Sequence, residues 1–320
     1  MSAQPSAAGT ELLNRLGRGM QRLGPERAAR WGRALGDLRR LAAPREARTV
    51  ARNLAWLGLD RLCASPPVAA TYHAFGSFVV EFIQAQGLSA EAIAARWEWR
   101  GAEHLRELAA GRAGFILAGA HTGNWELLAA LGPLLGRGVV APAETQFHPL
   151  VSETLRRHKR RWGLTSISPG ASMRPLASAL HQGDLVALPL DGGTFHRGLS
   201  VELLGRQVRI APGAARLALL SGRPILPVFA RRTGFLSQRV SIGTPLWPGP
   251  ARRAAQRRID SGAGERNTTP SRLAAVILAQ QAADQLGAHL RATPGQWCIF
   301  RPLEQEALPP ESRGVRADHV

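Results

Sequence analysis

Residues 114–126 read Gly-Phe-Ile-Leu-Ala-Gly-Ala-His-Thr-Gly-Asn-Trp-Glu, an apolar run that stops at His121 with Glu126 five residues on. Near neutral pH a neutral imidazole takes a proton from a hydroxyl. A carboxylate on the other ring nitrogen fixes the tautomer and stabilises the imidazolium as it forms. The residue types are those of a general base and its orienter, with Glu126 the expected partner of His121. Spacing alone does not single the pair out, because Glu153 follows His148 at the same interval. That second pair has no apolar run before it and adjoins Pro149, so it reads as a loop.

The elements around His121 are what give the pair its meaning. Phe115 to Ala120 reads as a buried strand, and Leu127, Leu128, Leu131 and Leu134 recur at helical spacing after Glu126. Gly123 lets the chain fold back between them. A strand would thus deliver the histidine to a sheet edge, where open α/β sheets place their chemistry. Residues 97–245 continue this alternation, with strands expected at 114–120, 138–142, 185–190, 224–229 and 237–242. The expected fold class is α/β, a mostly parallel central sheet flanked by helices, over 97–302. Asp191 ends the 185–190 run and belongs at the same edge as His121, or is a turn aspartate before Gly192-Gly193.

Residues 11–96 are helical in pattern, punctuated by Pro25, Pro44 and Pro66-Pro67. Phe75, Phe78, Val79, Phe82 and Ile83 form an apolar stripe, core or the lining of an acyl channel. Leu12, Leu13, Leu16, Met20 and Leu23 recur at helical spacing with arginines between them. That is either a basic amphipathic helix lying on an anionic membrane surface or a helix packed on the domain. Residues 1–10 and 303–320 read as disordered ends, and the Arg-, Gly- and Ser-rich stretch 250–270 as a mobile loop before a helix from Ser271 to about Leu290.

Several blocks, in order, carry a family resemblance. Ala120-His121-Thr122-Gly123-Asn124-Trp125-Glu126 resembles the first block of the bacterial lipid A acyltransferases, the late lauroyl and myristoyl transferases, whose relatives acylate phosphatidylinositol mannosides. Arg52-Asn53-Leu54, Trp99 to Leu105, Arg160-Arg161-Trp162-Gly163, Gly183 to Asp191, Val201 to Gly205 and Pro294-Gly295-Gln296-Trp297 match further blocks. The resemblance covers roughly residues 12 to 302 and implies a fold of the glycerolipid acyltransferase kind. It also implies transfer of a fatty acyl chain from an acyl carrier protein or coenzyme A thioester to a hydroxyl of a membrane glycolipid such as a lipid A precursor. Acylation of mannosylated phosphatidylinositol or another glycolipid, and a non-catalytic lipid-binding member of the fold, are the alternatives. By the resemblance His121 is the base and Glu126 its partner, while Gly123, Asn124, Arg160, Arg161, Asp191 and Glu202 are substrate-binding candidates. A backbone N–H near Gly123 or an arginine would meet the oxyanion. Work on the cytoplasmic face of the cytoplasmic membrane, held peripherally, follows from the same reading.

Composition bounds the alternatives. With 41 basic and 23 acidic side chains among 320 residues the formal net charge is +18. That charge favours anionic partners, whether phosphate head groups, an acidic carrier protein or nucleic acid. Zinc-finger spacing, an aromatic RNA-binding motif and a basic zipper are all absent from the sequence, and a single tyrosine leaves little for base stacking, so nucleic acid is not the expected partner. The two cysteines, Cys63 and Cys298, form no motif, no histidine/cysteine/acid cluster has metal-ligand spacing, and neither a dinucleotide fingerprint nor a P-loop is present; no metal or cofactor is expected. No apolar run is long enough to cross a bilayer.

Overall fold

The computed structural model describes residues 19–20, 22–63, 66–85, 87–142, 160, 162–167, 173–192, 198–262 and 268–303. The helical region comprises α1 (Pro25–Ala42), α2 (Pro44–Trp56), α3 (Pro67–Ala85) and the short α4 (Ala90–Ala94). Three of these begin at the prolines that punctuate the sequence. Proline's fixed φ suits the first helical position, where its missing N–H is no loss.

The α/β part follows as β1 (Trp97–Arg100), α5 (Ala102–Ala110), β2 (Ile116–Gly119), α6 (Leu131–Leu134), β3 (Val139–Pro142) and β4 (Leu164–Ile167). It continues with α7 (Arg174–Gln182), β5 (Leu185–Pro189), β6 (Leu199–Leu203), β7 (Arg206–Ile210), α8 (Gly213–Ser221), β8 (Ile225–Gly234), β9 (Ser237–Ile242), α9 (Pro248–Asp260) and α10 (Pro270–Ala292). Among the described residues seven strands form one sheet in the order β1-β9-β8-β2-β5-β3-β4. Only β8 and β9 pair antiparallel in it; β6 and β7 form a separate antiparallel ribbon.

A strand buried on both faces reads as a continuous apolar run, and β2 is such a strand. Ile116, Ala118 and Ala120 join a core completed by α7, α8 and α10. Phe115 and Leu117 face the other way, into a core with Phe78 and Phe82 of α3 and with Leu127 and Leu131. The helical region is therefore continuous with the sheet's own core. The stripe on α3 is largely core, with Phe78 and Phe82 nearly fully buried.

Two expectations are corrected. Residues 250–270 are not simply a loop, since α9 runs from Pro248 to Asp260. Its Ala251 and Ala255, one turn apart, are buried, and its arginines stand on the outer side of a helix that packs on α10. The hairpin β6–β7 was also missed. Leu199, Val201 and Leu203 alternate with exposed residues, and Leu204-Gly205 supplies two consecutive positive φ angles, 54° and 80°. That is the backbone a tight hairpin turn requires. The N-terminal stretch up to residue 18, the leader included, His148–Glu153 and the tail beyond residue 303 lie outside the described residues.

α1 and α3 cross at backbone contact. A Cβ on Gly76 would collide with the Gly32 carbonyl oxygen, and one on Gly36 with the Tyr72 carbonyl. Gly76→Ala forces these helices apart, and overpacking of this kind costs about 1–3 kcal/mol. In urea unfolding followed by circular dichroism, the unfolding free energy is expected to fall by that amount, as a lower midpoint with an unchanged slope.

Candidate active site

The site arises from strand register. In the parallel pair of β2 and β5, Gly119 stands opposite Pro189, and the Leu190 N–H continues the ladder to the Gly119 carbonyl at 2.8 Å. His121 and Asp191 each lie two residues beyond that pair, so adjacent strands deliver them side by side to the C-terminal edge of the sheet. The His121 Nδ1 is 2.8 Å from Asp191 Oδ1, and the His121 backbone N–H donates to Asp191 Oδ2 at 2.9 Å. The side chain of Asp191 is 2% exposed and that of His121 33%.

Here the structure corrects the sequence reading: the carboxylate bonded to the imidazole is Asp191, not Glu126. Glu126 lies in a 3₁₀ turn, Trp125–Ala130, and acts on the ring through its charge. Burial works against charging His121, but the Asp191 carboxylate and the Glu126 charge outweigh it, so its pKa stands above the ordinary histidine value. Burial would equally raise the Asp191 carboxyl. The histidine and the donors around Asp191 more than reverse this and hold it below the usual carboxylate range. An ionised carboxylate only accepts, so Nδ1 carries the proton and Nε2 of the neutral ring is left as the basic nitrogen.

The loop after His121 is pinned on several sides. Gly123 has φ +58°, and a Cβ there would sit 2.6 Å from the Ala230 carbonyl oxygen, so only glycine lets the turn lie against β8. The Thr122 hydroxyl bonds His289 Nε2 at 3.1 Å; burial lowers the His289 pKa to about 4, so this histidine is neutral and structural. The Asn124 side-chain amide donates to Glu81 at 3.4 Å, and its backbone N–H donates to Gln238 at 3.3 Å. Glu81 also pairs with Arg232 at 2.7 Å, an ion pair sunk beneath the loop. Burial raises the Glu81 carboxyl, against the pull of Arg232. Trp125 stacks on Phe78 with centroids 4.0 Å apart and meets the His121 ring edge-on at 5.0 Å.

A final segment closes the site from behind. Trp297 donates its indole N–H to Asp191 Oδ2 at 2.7 Å. The Cys298 N–H donates to the His121 carbonyl at 2.8 Å, and Arg301 reaches the Asp191 carbonyl. Asn53 of α2 clasps this segment, donating to the Arg301 carbonyl at 2.7 Å and accepting the Leu303 N–H at 3.0 Å. Arg39 of α1 is bidentate to Glu46 at 3.0 and 2.9 Å. Its guanidinium lies 4.0 Å from the ring centres of both Phe75 and Phe300.

Other substrate-binding candidates fall elsewhere. Asn124 is 1% exposed and serves the loop rather than an opening. Arg160 is exposed and precedes β4, which β5 and β3 separate from β2. Because β4, β3, β5 and β2 all run parallel, a residue before β4 lies at the end of the sheet opposite His121. Arg161 lies outside the described residues. Glu202 is on the exposed side of β6, in a ribbon that Gln280 of α10 grips by the Glu202 backbone at 2.8 Å on both sides. Among the described residues no group of three or more acids, histidines and cysteines is placed to hold a metal, and no helix is long and apolar enough to cross a membrane. Reasoning from sequence missed Trp297 and Asn53 as parts of the site, although both stand in blocks singled out above; their sequence separation from His121 hid the contact.

Comparison with known proteins completes the description. The family model for bacterial lipid A biosynthesis acyltransferases matches residues 3–244. The chain belongs to this family. It is accordingly an acyltransferase acting on lipids. The solved structure of the 1-acyl-sn-glycerophosphate (LPA) acyltransferase PlsC from Thermotoga maritima is 15% identical, with a TM-score of 0.34, covering 79% of this chain and 98% of that one. No curated protein matches.

The geometry of this acyltransferase fixes the order of electrostatic effects on His121. Observed by NMR, its imidazole is expected to titrate above the ordinary histidine range. Removing an anion disfavours imidazolium, so Glu126→Gln lowers that pKa and Asp191→Asn lowers it more, to below the ordinary value, because burial is then opposed by Glu126 alone. A larger drop in Glu126→Gln than in Asp191→Asn would contradict the geometry.

Proposed function

We propose that the protein transfers a fatty acyl chain from an acyl carrier protein or coenzyme A thioester to a hydroxyl of a membrane glycolipid, with a lipid A precursor the favoured acceptor. The observation that carries this reading is the buried Asp191 carboxylate on Nδ1 of a partly exposed His121, which leaves Nε2 to face the acceptor. Nε2 removes the hydroxyl proton as the oxygen attacks the thioester carbonyl. The tetrahedral intermediate collapses, the C–S bond breaks, and the imidazolium returns the proton to the departing thiolate. Asp191 and Glu126 stabilise the imidazolium between these steps.

The family is one of lipid enzymes, and the N-terminal helices offer a face for an anionic bilayer, on its cytoplasmic side. On α1, Trp31, Leu38 and Leu41 are 61%, 65% and 70% exposed, on the side turned away from the buried Gly32 and Gly36. Arg27, Arg30 and Arg33 of the same helix are exposed as well. An apolar ridge with a tryptophan beside arginines is the composition of a helix that lies in the membrane interface.

Two outcomes test the reading. His121→Ala abolishes ester formation from an acyl thioester while the circular dichroism spectrum is kept; retained turnover removes His121 from the chemistry. In the parent enzyme kcat/KM falls as pH drops through the raised His121 pKa, since only the neutral ring is a base, and Glu126→Gln moves this limb to lower pH. Separately, serine at positions 31, 38 and 41 together weakens sedimentation with phosphatidylglycerol vesicles at least about tenfold, given about 1.5–3 kcal/mol for each large apolar side chain fully buried. Undiminished binding would place the bilayer contact elsewhere.

A further inference from the structure

We propose that Trp297 is a positioning residue for acyl transfer, holding the Asp191 carboxylate in register behind His121. The proposal rests on the reading of His121 as the base. Trp297 stands in a block that carries the family resemblance, which assigns it no role, and lies beyond the 3–244 span that the family model matches.

The case begins with a cost. Trp297 is 1% exposed, and a buried indole N–H needs an acceptor. The acceptor it has is Oδ2 of the buried Asp191 carboxylate, at 2.7 Å. That same oxygen takes the His121 backbone N–H at 2.9 Å, while Oδ1 faces the His121 ring at 2.8 Å. The carboxylate is thus held by three donors, two from His121 and one from Trp297. With the indole removed, the carboxylate loses a side-chain donor that holds its plane from the side away from the imidazole.

Trp297 is itself held with little freedom. Its backbone forms a bridge to Thr122, and the Cys298 N–H bonds the His121 carbonyl at 2.8 Å. Immediately before it, Gln296 spans β8 by accepting the Arg232 N–H at 2.7 Å and donating to the Arg232 carbonyl at 2.9 Å. The main chain therefore presents the indole from a fixed point on the sheet rather than from a loose end.

The electrostatic consequence has a definite sign. A carboxylate that loses a donor becomes more basic and stabilises the neighbouring imidazolium more. The groups acting on the His121 ring are Asp191, Glu126 and Arg301, and the Cys298 thiol that senses Asp191 is pushed up to about 12 and stays neutral.

Trp297→Phe keeps an aromatic ring and deletes the donor. In the full-length enzyme with an acyl thioester and a lipid acceptor, kcat is expected to fall about tenfold, with the thioester KM nearly unchanged and the acidic limb of kcat/KM displaced to higher pH. A tryptophan that only fills space would lower the active fraction equally at every pH, and an unmoved limb overturns the proposal. If the variant does not fold, the parent protein decides: an indole proton bonded to Asp191 shifts in NMR with the titration of His121, and an Nε1–H resonance of Trp297 insensitive to that titration refutes the coupling. Activity surviving in His121→Ala would instead overturn the assignment of the base, while leaving these resonance shifts to judge the Trp297–Asp191 contact.

Discussion

Everything in the site depends on one parallel pairing, that of Ile116–Gly119 with Leu185–Pro189. Parallel strands carry their register past the last ladder bond, so residues at equal offsets emerge side by side. A slip of one residue between these strands would turn Asp191 to the wrong face and leave Nδ1 of His121 without its carboxylate partner. The register is secured from both sides by apolar layers that alternate along β2, Phe115 and Leu117 to one core, Ile116 and Ala118 to the other. The same hydrophobic burial that makes the sheet thus aligns the charged pair.

The pairing also explains why a carboxylate seventy positions away displaces the one five positions away. After His121 the chain must turn at once, and the turn is held by Gly123 against β8 and by Asn124 over Glu81. That route carries Glu126 into the 3₁₀ turn, close enough for its charge to act on the ring but with Nδ1 already taken. Two carboxylates and one imidazole give an environment that keeps a proton on the ring longer than solvent would.

Much of this was legible in the sequence. The strand ending at His121, the run ending at Asp191 and the prolines that begin α1, α2 and α3 all follow from local pattern. What local pattern lacks is pairing. Choosing between Glu126 and Asp191 requires knowing that β5 is the neighbour of β2. Placing Arg160 requires knowing that β4 runs parallel, which sends the residue before it to the far end of the sheet. A polar residue in a glycine-containing turn, Asn124 looks available to a ligand in the sequence, whereas in the fold its amide bonds a buried Glu81. The stretch 250–260 was misread because its arginines hid the buried Ala251 and Ala255.

The clasp of Asn53 on residues 301–303 joins positions about 250 apart in sequence, and it gives the molecule a weak point distinct from its core. The segment from Gln296 to Leu303 is short, and it is the piece that supplies the indole to Asp191, the amide to the His121 carbonyl and the ring that covers Arg39. Peeling it away exposes Trp297, Ile299 and Leu303 of one core but leaves the other core and the strand pairings in place, so such an opening costs less than global unfolding. Yet it removes every one of these contacts together. Heat or mild denaturant acting on this enzyme would therefore silence it through a sub-global opening while the sheet remains intact, and loss of turnover would run ahead of loss of structure.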